Sequence, residues 1–296
     1  MSEADAKRDA PWLEVVAVAG LATVQDRGRP GRMHEGVPPG GPLVPAFLAR
    51  ANATVENDPG EAGLEVFGSL SVVVHGNGPL SIATDEGRAI ALGPGDRFDL
   101  HPSKAARVRY LAVRGGIDVP VVLGGLGTLL VAGMGGLEGR PLRRGDRLAV
   151  GSVEQSTVEK TPLFFSPPDA RPIHVHLGPD HDAFSADAAK RLLSATFMVS
   201  PASDRIGTRL IGPTLPHAAE RDASTALSAP MVRGAIEVTA AGEAIVLGPD
   251  HPTTGGYPIL AVIAYTDLGR FFATPVRGAI RFAPALPADQ EITRPK

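Results

Sequence analysis

The chain has 296 residues, 29 Lys and Arg against 32 Asp and Glu, a formal charge of −3 and no cysteine. The near-neutral balance excludes the basic stripe of a nucleic-acid binder, and the missing cysteine excludes a disulfide framework, a thiolate nucleophile and a zinc–thiolate site. No apolar run approaches the ~20 residues that a membrane helix needs, and the polar opening "MSEADAKRDAP" reads as a frayed tail rather than a secretory signal, so cytoplasmic residence is the expectation.

In chain order, "LEVVAV" (13–18) reads as a strand and is followed by a loop, "LATVQDRGRPG" (21–31). "PAFLARANATV" places Phe47, Leu48 and Ala51 at helical spacing. "GLEVFG", "SLSVVVH" and "RVRYLAVRG" are short apolar or alternating runs bounded by turn residues. "LGPGDRFDL" (92–100) and "LRRGDRLAV" (142–150) form a weak repeat, read as a Gly-Asp turn feeding a strand. Polar, proline-containing "SVEQSTVEKTPLFFSPPDAR" (152–171) is the linker candidate. After it come the strand "RPIHVHLG" and a helix over "SADAAKRLLSATF", with Ser185 as N-cap and Leu192 and Leu193 on an apolar side. Four further strand-like runs follow: "GAIEVTA", "EAIVLG", "YPILAVIAY" and "GAIRFAP". With 35 glycines and 28 prolines, the expected fold is mainly β, with a few short helices. The expected organisation is a lobe over 12–151, a linker over 152–171 and a lobe over 172–284, with flexible tails at 1–11 and 285–296.

Several stretches carry polar groups suited to chemistry. Gln25, Asp26 and Arg29 stand on a glycine-flanked loop. The glycine-rich "LGGLGTLLVAGMGGLEGRP" (123–141) lacks the Gly-Lys-Ser/Thr of a phosphate loop and the third glycine of a dinucleotide fingerprint. Tight β-turns are its simpler reading, although its amides could hold an anion. His174 and His176 share one face of a strand, with Asp180, His181 and Asp182 beyond, a pattern that could hold a metal but that an ordinary strand followed by a capped helix start explains for the most part. Arg205 and Arg209 flank Gly207; paired guanidiniums suit a carboxylate or phosphate, and taken alone they read as two surface arginines. "DHPTTGGYP" (250–258) offers hydroxyls and glycines that allow close backbone approach, or a plain hairpin connection. No Gly-x-Ser-x-Gly elbow supports a nucleophilic triad.

Taken in order, "LATVQDRGRPG", "HEGVPPGG", "YLAVRGGIDVPVVLG", "GGLEGRPLRRGDRL", "VSPASDRIGTRLIGP" and "TTGGYP" resemble the carboxyltransferase-like family of KipA, allophanate hydrolase subunit 2 and the 5-oxoprolinase C subunit, over roughly residues 13–284. The resemblance implies two cyclophilin-like β-barrel lobes. It also implies a partner, the KipI-like B subunit, joined in the 5-oxoprolinase system by a LamB/YcsF-like A subunit. The implied reaction is ATP-driven opening of 5-oxoproline to glutamate. In fused relatives the same module is half of a biotin-dependent carboxyltransferase in urea carboxylase; this chain carries no Met-Lys-Met carrier tripeptide. A third reading is a KipA-like binding or regulatory paralogue. The expected site takes Asp26, Arg29 and His34 as catalytic groups. Gln25, Arg205, Arg209, Thr253, Thr254, Gly255, Gly256 and Tyr257 are its contacts to a small-molecule ligand, with no metal.

The sequence also departs from the family pattern. Where relatives run Gly-Val-Pro-Ser-Gly-Ala-Met-Asp, this chain has "GVPPGGPLVP"; Gly125–Thr128 stands where Ser-Arg-Ser-Thr is frequent; "SAPMVRGAIE" replaces a Ser-Glu-Gly turn before Gly-x-Ile-Gln; and Pro252 replaces a glutamine before "TTGGYP". Losing polar groups that orient substrate and stabilise charge implies reduced turnover, with Glu35 and His251 placed to take over polar roles.

Overall fold

A computed structural model describes residues 10–152, 169–218 and 228–285. The chain divides into two compact units, Met1–Ser166 and Pro167–Lys296. Most of the predicted linker, including its "LFF" stretch, and most of both predicted tails lie outside the described residues.

The first unit contains β1 (Trp12–Gln25), α1 (Pro45–Thr54), β2 (Gly63–His75), β3 (Leu80–Thr84), β4 (Ala89–Leu92), β5 (Arg97–Leu100), β6 (Arg109–Val113), β7 (Ile117–Asp118) and β8 (Arg147–Val150). They form one eight-stranded sheet in the order β4-β3-β6-β2-β1-β8-β7, with β5 also paired to β2. Alternation buries Leu13, Val15, Ala22 and Val24 of β1 against Leu64, Val66, Leu70 and Val72 of β2. The expected strand at 13–18 is only the first half of β1, which continues through "LATVQ". Gly20 permits this. It pairs with Gly68, and a Cβ at Gly20 would lie 2.1 Å from the Phe67 carbonyl oxygen. Both Gly-Asp repeats are turns closed by the aspartate: Asp96 accepts from the Gly93 amide at 2.7 Å and Asp146 from the Arg143 amide at 2.8 Å. The divergent "GGPLVP" stretch is tied to the sheet by buried Glu65, which accepts from the Leu43 amide (2.6 Å) and from Tyr110 Oη (2.5 Å).

The second unit contains β9 (Ile173–Leu177), α2 (Ala186–Ser194), β10 (Thr196–Val199), β11 (Gly207–Ile211), β12 (Ala229–Pro230), β13 (Ala235–Val238), β14 (Ala244–Leu247), β15 (Thr254–Gly255), β16 (Ile259–Ile263), α3 (Leu268–Ala273) and β17 (Ala279–Pro284). Seven strands close a barrel in the order β10-β11-β14-β13-β16-β9-β17, and β12 pairs only with β15. Closure comes from β17, which runs antiparallel to β10 and parallel to β9, so the barrel has no free edge. Ser185 holds the N-cap position of α2, but its Oγ makes no capping bond; Leu192 is buried and Leu193 half-buried. Sequence patterning misses α3: six residues containing Gly269 are too few to show a helical period, and Phe271 and Phe272 are held by burial instead.

Candidate functional site

In the first unit the candidate residues stand at the end of β1 and just beyond it. Gln25 is the last residue of the strand, not a loop residue, and is fully buried. Its Nε2 donates to Thr23 Oγ1 (3.1 Å) and to the Thr128 carbonyl (3.0 Å). Among the described residues, nothing satisfies Gln25 Oε1 or Thr128 Oγ1. Asp26 Oδ1 accepts from the amides of Gly28 and Gly127 at 2.9 Å, and Oδ2 from that of Leu126 at 2.7 Å. Arg29 is 2% exposed; its Nε and Nη1 donate to the carbonyls of Val122 and Gly127 at 2.9 Å and Nη2 to that of Gly125 at 3.4 Å.

Asp26 therefore takes N–H groups of the glycine-rich segment and Arg29 takes its carbonyls. The anion held by these amides is the chain's own carboxylate. Both residues have the geometry of positioning groups for the loop at 122–128. Glycine is required where the segment passes the guanidinium, because a Cβ at Gly135 would lie 2.4 Å from Arg29 Nη2. His34 is separate from this buried trio. It lies on the 3-10 turn Met33–Glu35 with its side chain 76% exposed, 3.5 Å from Glu35.

In the second unit, Arg205 is buried rather than a surface arginine. It forms a two-point pair with buried Asp250, Nε to Oδ2 at 2.8 Å and Nη2 to Oδ1 at 2.7 Å. Arg209 lies on the exposed side of β11, so the two guanidiniums do not act as one fork. His251 follows Asp250 and is buried; its Nδ1 lies 2.7 Å from the Pro252 carbonyl oxygen. Burial, with the positive charge of Arg233, holds its imidazole below the usual range. The loop at 253–257 begins with the Met231 amide donating to the Thr253 carbonyl (3.1 Å). Thr254 and Gly255 then pair with Pro230 and Ala229. Gly256 and Tyr257 are exposed.

Two features have surroundings that the sequence does not show. His174 donates its backbone amide to Asp267 Oδ2, and its Nδ1 also lies 2.7 Å from that oxygen, while Arg270 Nη2 holds Oδ1 at 2.9 Å. The half-exposed imidazole is thus paired to a carboxylate, and no group of three or more possible metal ligands occurs among the described residues. The second is Glu237, a buried acid in the strand "AIEV". Its signals in the sequence are an acidic residue inside a short apolar run and its place at the end of "SAPMVRGAIE", where the family pattern has a glutamine.

The family model for the carboxyltransferase domain, subdomain A and B, matches residues 35–284. The chain belongs to this carboxyltransferase-domain family. It is 32% identical to the 5-oxoprolinase C subunit of Escherichia coli, over 91% of this chain and 90% of that protein. It is 29% identical to urea amidolyase of Lachancea kluyveri over 92% of this chain but only 17% of that protein. The crystal structure of Kluyveromyces lactis urea carboxylase superposes with a TM-score of 0.81 at 29% identity, over 93% of this chain and 27% of that one. The family fold is therefore present both as a chain of this length and as a small part of much longer fungal enzymes.

Proposed function

We propose that this chain is the C subunit of a 5-oxoprolinase-type assembly that opens 5-oxoproline to glutamate at the expense of ATP. The observation that carries this reading is the match along nine-tenths of a 5-oxoprolinase C subunit, against about a sixth of a urea amidolyase. The chain works there in the cytoplasm with two partners, a KipI-like B subunit plus a LamB/YcsF-like A subunit. None of its described helices is long and apolar enough to cross a membrane. The glycine-rich segment does not fit a nucleotide phosphate where its amides already hold Asp26, which favours ATP binding on a partner. Co-expression with the cognate KipI-like partner tests the assignment. Co-elution as a stoichiometric complex at native salt is expected, and clean separation would count against it. The similarity to urea carboxylase supports a second reading, half of a carboxyltransferase that uses biotin on another chain; transfer of a carboxyl group from carboxybiotin to urea would establish it.

A further inference from the structure

Residues 122–125 form a tight hairpin in which Val122 and Gly125 exchange both backbone hydrogen bonds, at 2.9 and 3.1 Å. The two residues at its tip, Leu123 and Gly124, both have positive φ, 52° and 84°. That is the mark of a type I′ turn, which favours Asn-Gly because most side chains are strained there. Four described residues other than glycine have positive φ, namely Glu56, Leu123, Glu138 and Arg277, and Leu123 is the apolar one. Burial does not offset the strain: Leu123 is 41% exposed and Val121 beside it 68%. A leucine held in a left-handed conformation with its side chain in water serves neither the backbone nor the core, and strain of this kind points to function.

The turn is held from beneath. Buried Arg29 donates to the carbonyls at both ends of the hairpin, Val122 at 2.9 Å and Gly125 at 3.4 Å, and Asp26 holds the next amide, that of Leu126, at 2.7 Å. The tip is thus presented on a fixed base, which lowers the ordering cost of an association. Residues 120–134 carry no charged side chain, and Pro120, Val121, Leu123 and Gly124 are all exposed. Charge complementarity therefore sets the chemistry of the matching surface: an ion placed against this turn would be buried without a counter-ion, so the surface that fits it is apolar and uncharged. The family module occurs as a C subunit in Escherichia coli and as a small part of longer fungal enzymes. Both settings join it to chain other than itself, which favours a different partner over a second copy.

We propose that Leu123, with Val121 beside it, is the apolar anchor by which this chain docks onto an uncharged apolar surface of its KipI-like partner. This deepens the proposed function, on which the identity of the partner rests. The test is calorimetric titration of the full chain and its variants with the purified KipI-like partner. Thermal unfolding of each free chain is followed alongside by the fluorescence of Trp12, which lies in the first unit. Leu123→Asn removes the apolar side chain and supplies the residue that this turn prefers. The free variant is expected to melt no lower than the natural chain, while its Kd for the partner rises about tenfold or more. Leu123→Met keeps the apolar bulk and most of the affinity. Val121→Ser weakens binding without lowering the melting temperature.

An unchanged Kd for Leu123→Asn would overturn the docking turn while leaving the function standing. A melting temperature lowered by Leu123→Asn would overturn it too, because Leu123 would then serve the fold. Dimerisation of the free natural chain that Leu123→Asn abolishes would hand the turn to a second copy and overturn the choice of partner. Leu123-dependent binding in a complex that makes no glutamate from 5-oxoproline would uphold the docking turn and sink the function. A natural chain that does not bind the KipI-like partner at all would overturn both.

Discussion

Arg29 makes a separable prediction about what the loop after β1 does. Arg29→Met keeps much of the side-chain volume and removes every guanidinium donor. The Val122 and Gly127 carbonyls each lose a bond of 2.9 Å, and Gly125 loses a longer one of 3.4 Å. A buried polar group left unsatisfied costs about 1–3 kcal/mol. Counting the two short bonds in full gives a loss of about 2–6 kcal/mol. For a unit of this size, about 2–4 °C of melting temperature follows each kcal/mol, so a fall of at least about 4 °C is expected. The chain has a single tryptophan, and Trp12 is the first residue of β1, stacked on His75 at 4.3 Å. Its fluorescence during thermal or urea unfolding therefore reports on the first unit alone. A change below about 0.5 kcal/mol, the usual scale for a surface substitution, would refute the assignment of Arg29 as a positioning residue and return it to the ligand.

Three further outcomes follow from the same physics. Asp26→Asn turns an NH2 group toward the Leu126 amide, which Oδ2 now accepts at 2.7 Å; a loss of about 1–3 kcal/mol is expected by Trp12 fluorescence. Asp250→Asn strands the buried Arg205 charge and is expected to cost about 3–5 kcal/mol, while the double change Arg205→Met with Asp250→Leu is far milder; circular dichroism of the second-unit transition checks both. The folded-state pKa of Glu237 is raised by burial, so its contribution to stability is full below the unfolded value of 4.5 and is lost as pH rises through the folded value. Glu237→Gln should therefore gain stability relative to the natural chain as pH rises, measured by urea denaturation at several pH values; a difference that does not change with pH would contradict this.

Short apolar runs bounded by turn residues were legible in the sequence as strands: β6 is one, buried along all five of its residues. The length of β1 was not, since Gly20 and Gly68 cross where a break in patterning suggests a turn. α3 was not, because its stability comes from buried Phe271 and Phe272 and not from any local signal. The loop 25–31 was legible as unusual but not for its role. Only tertiary structure brings residues 122–128, about a hundred positions away, onto Asp26 and Arg29. Arg205 likewise read as a surface residue because its partner, Asp250, lies 45 positions downstream.

Reconstitution of this chain with the proposed KipI-like and LamB/YcsF-like partners, followed by glutamate formation from 5-oxoproline and ATP, tests the central claim most directly. The account predicts turnover that needs all three chains and both substrates, slower than that of a relative with the full Ser-Gly-Ala-Met-Asp motif, since each lost transition-state contact costs on the order of 10²–10³ in rate. A complex that forms but makes no glutamate above the mixture lacking this chain would contradict it.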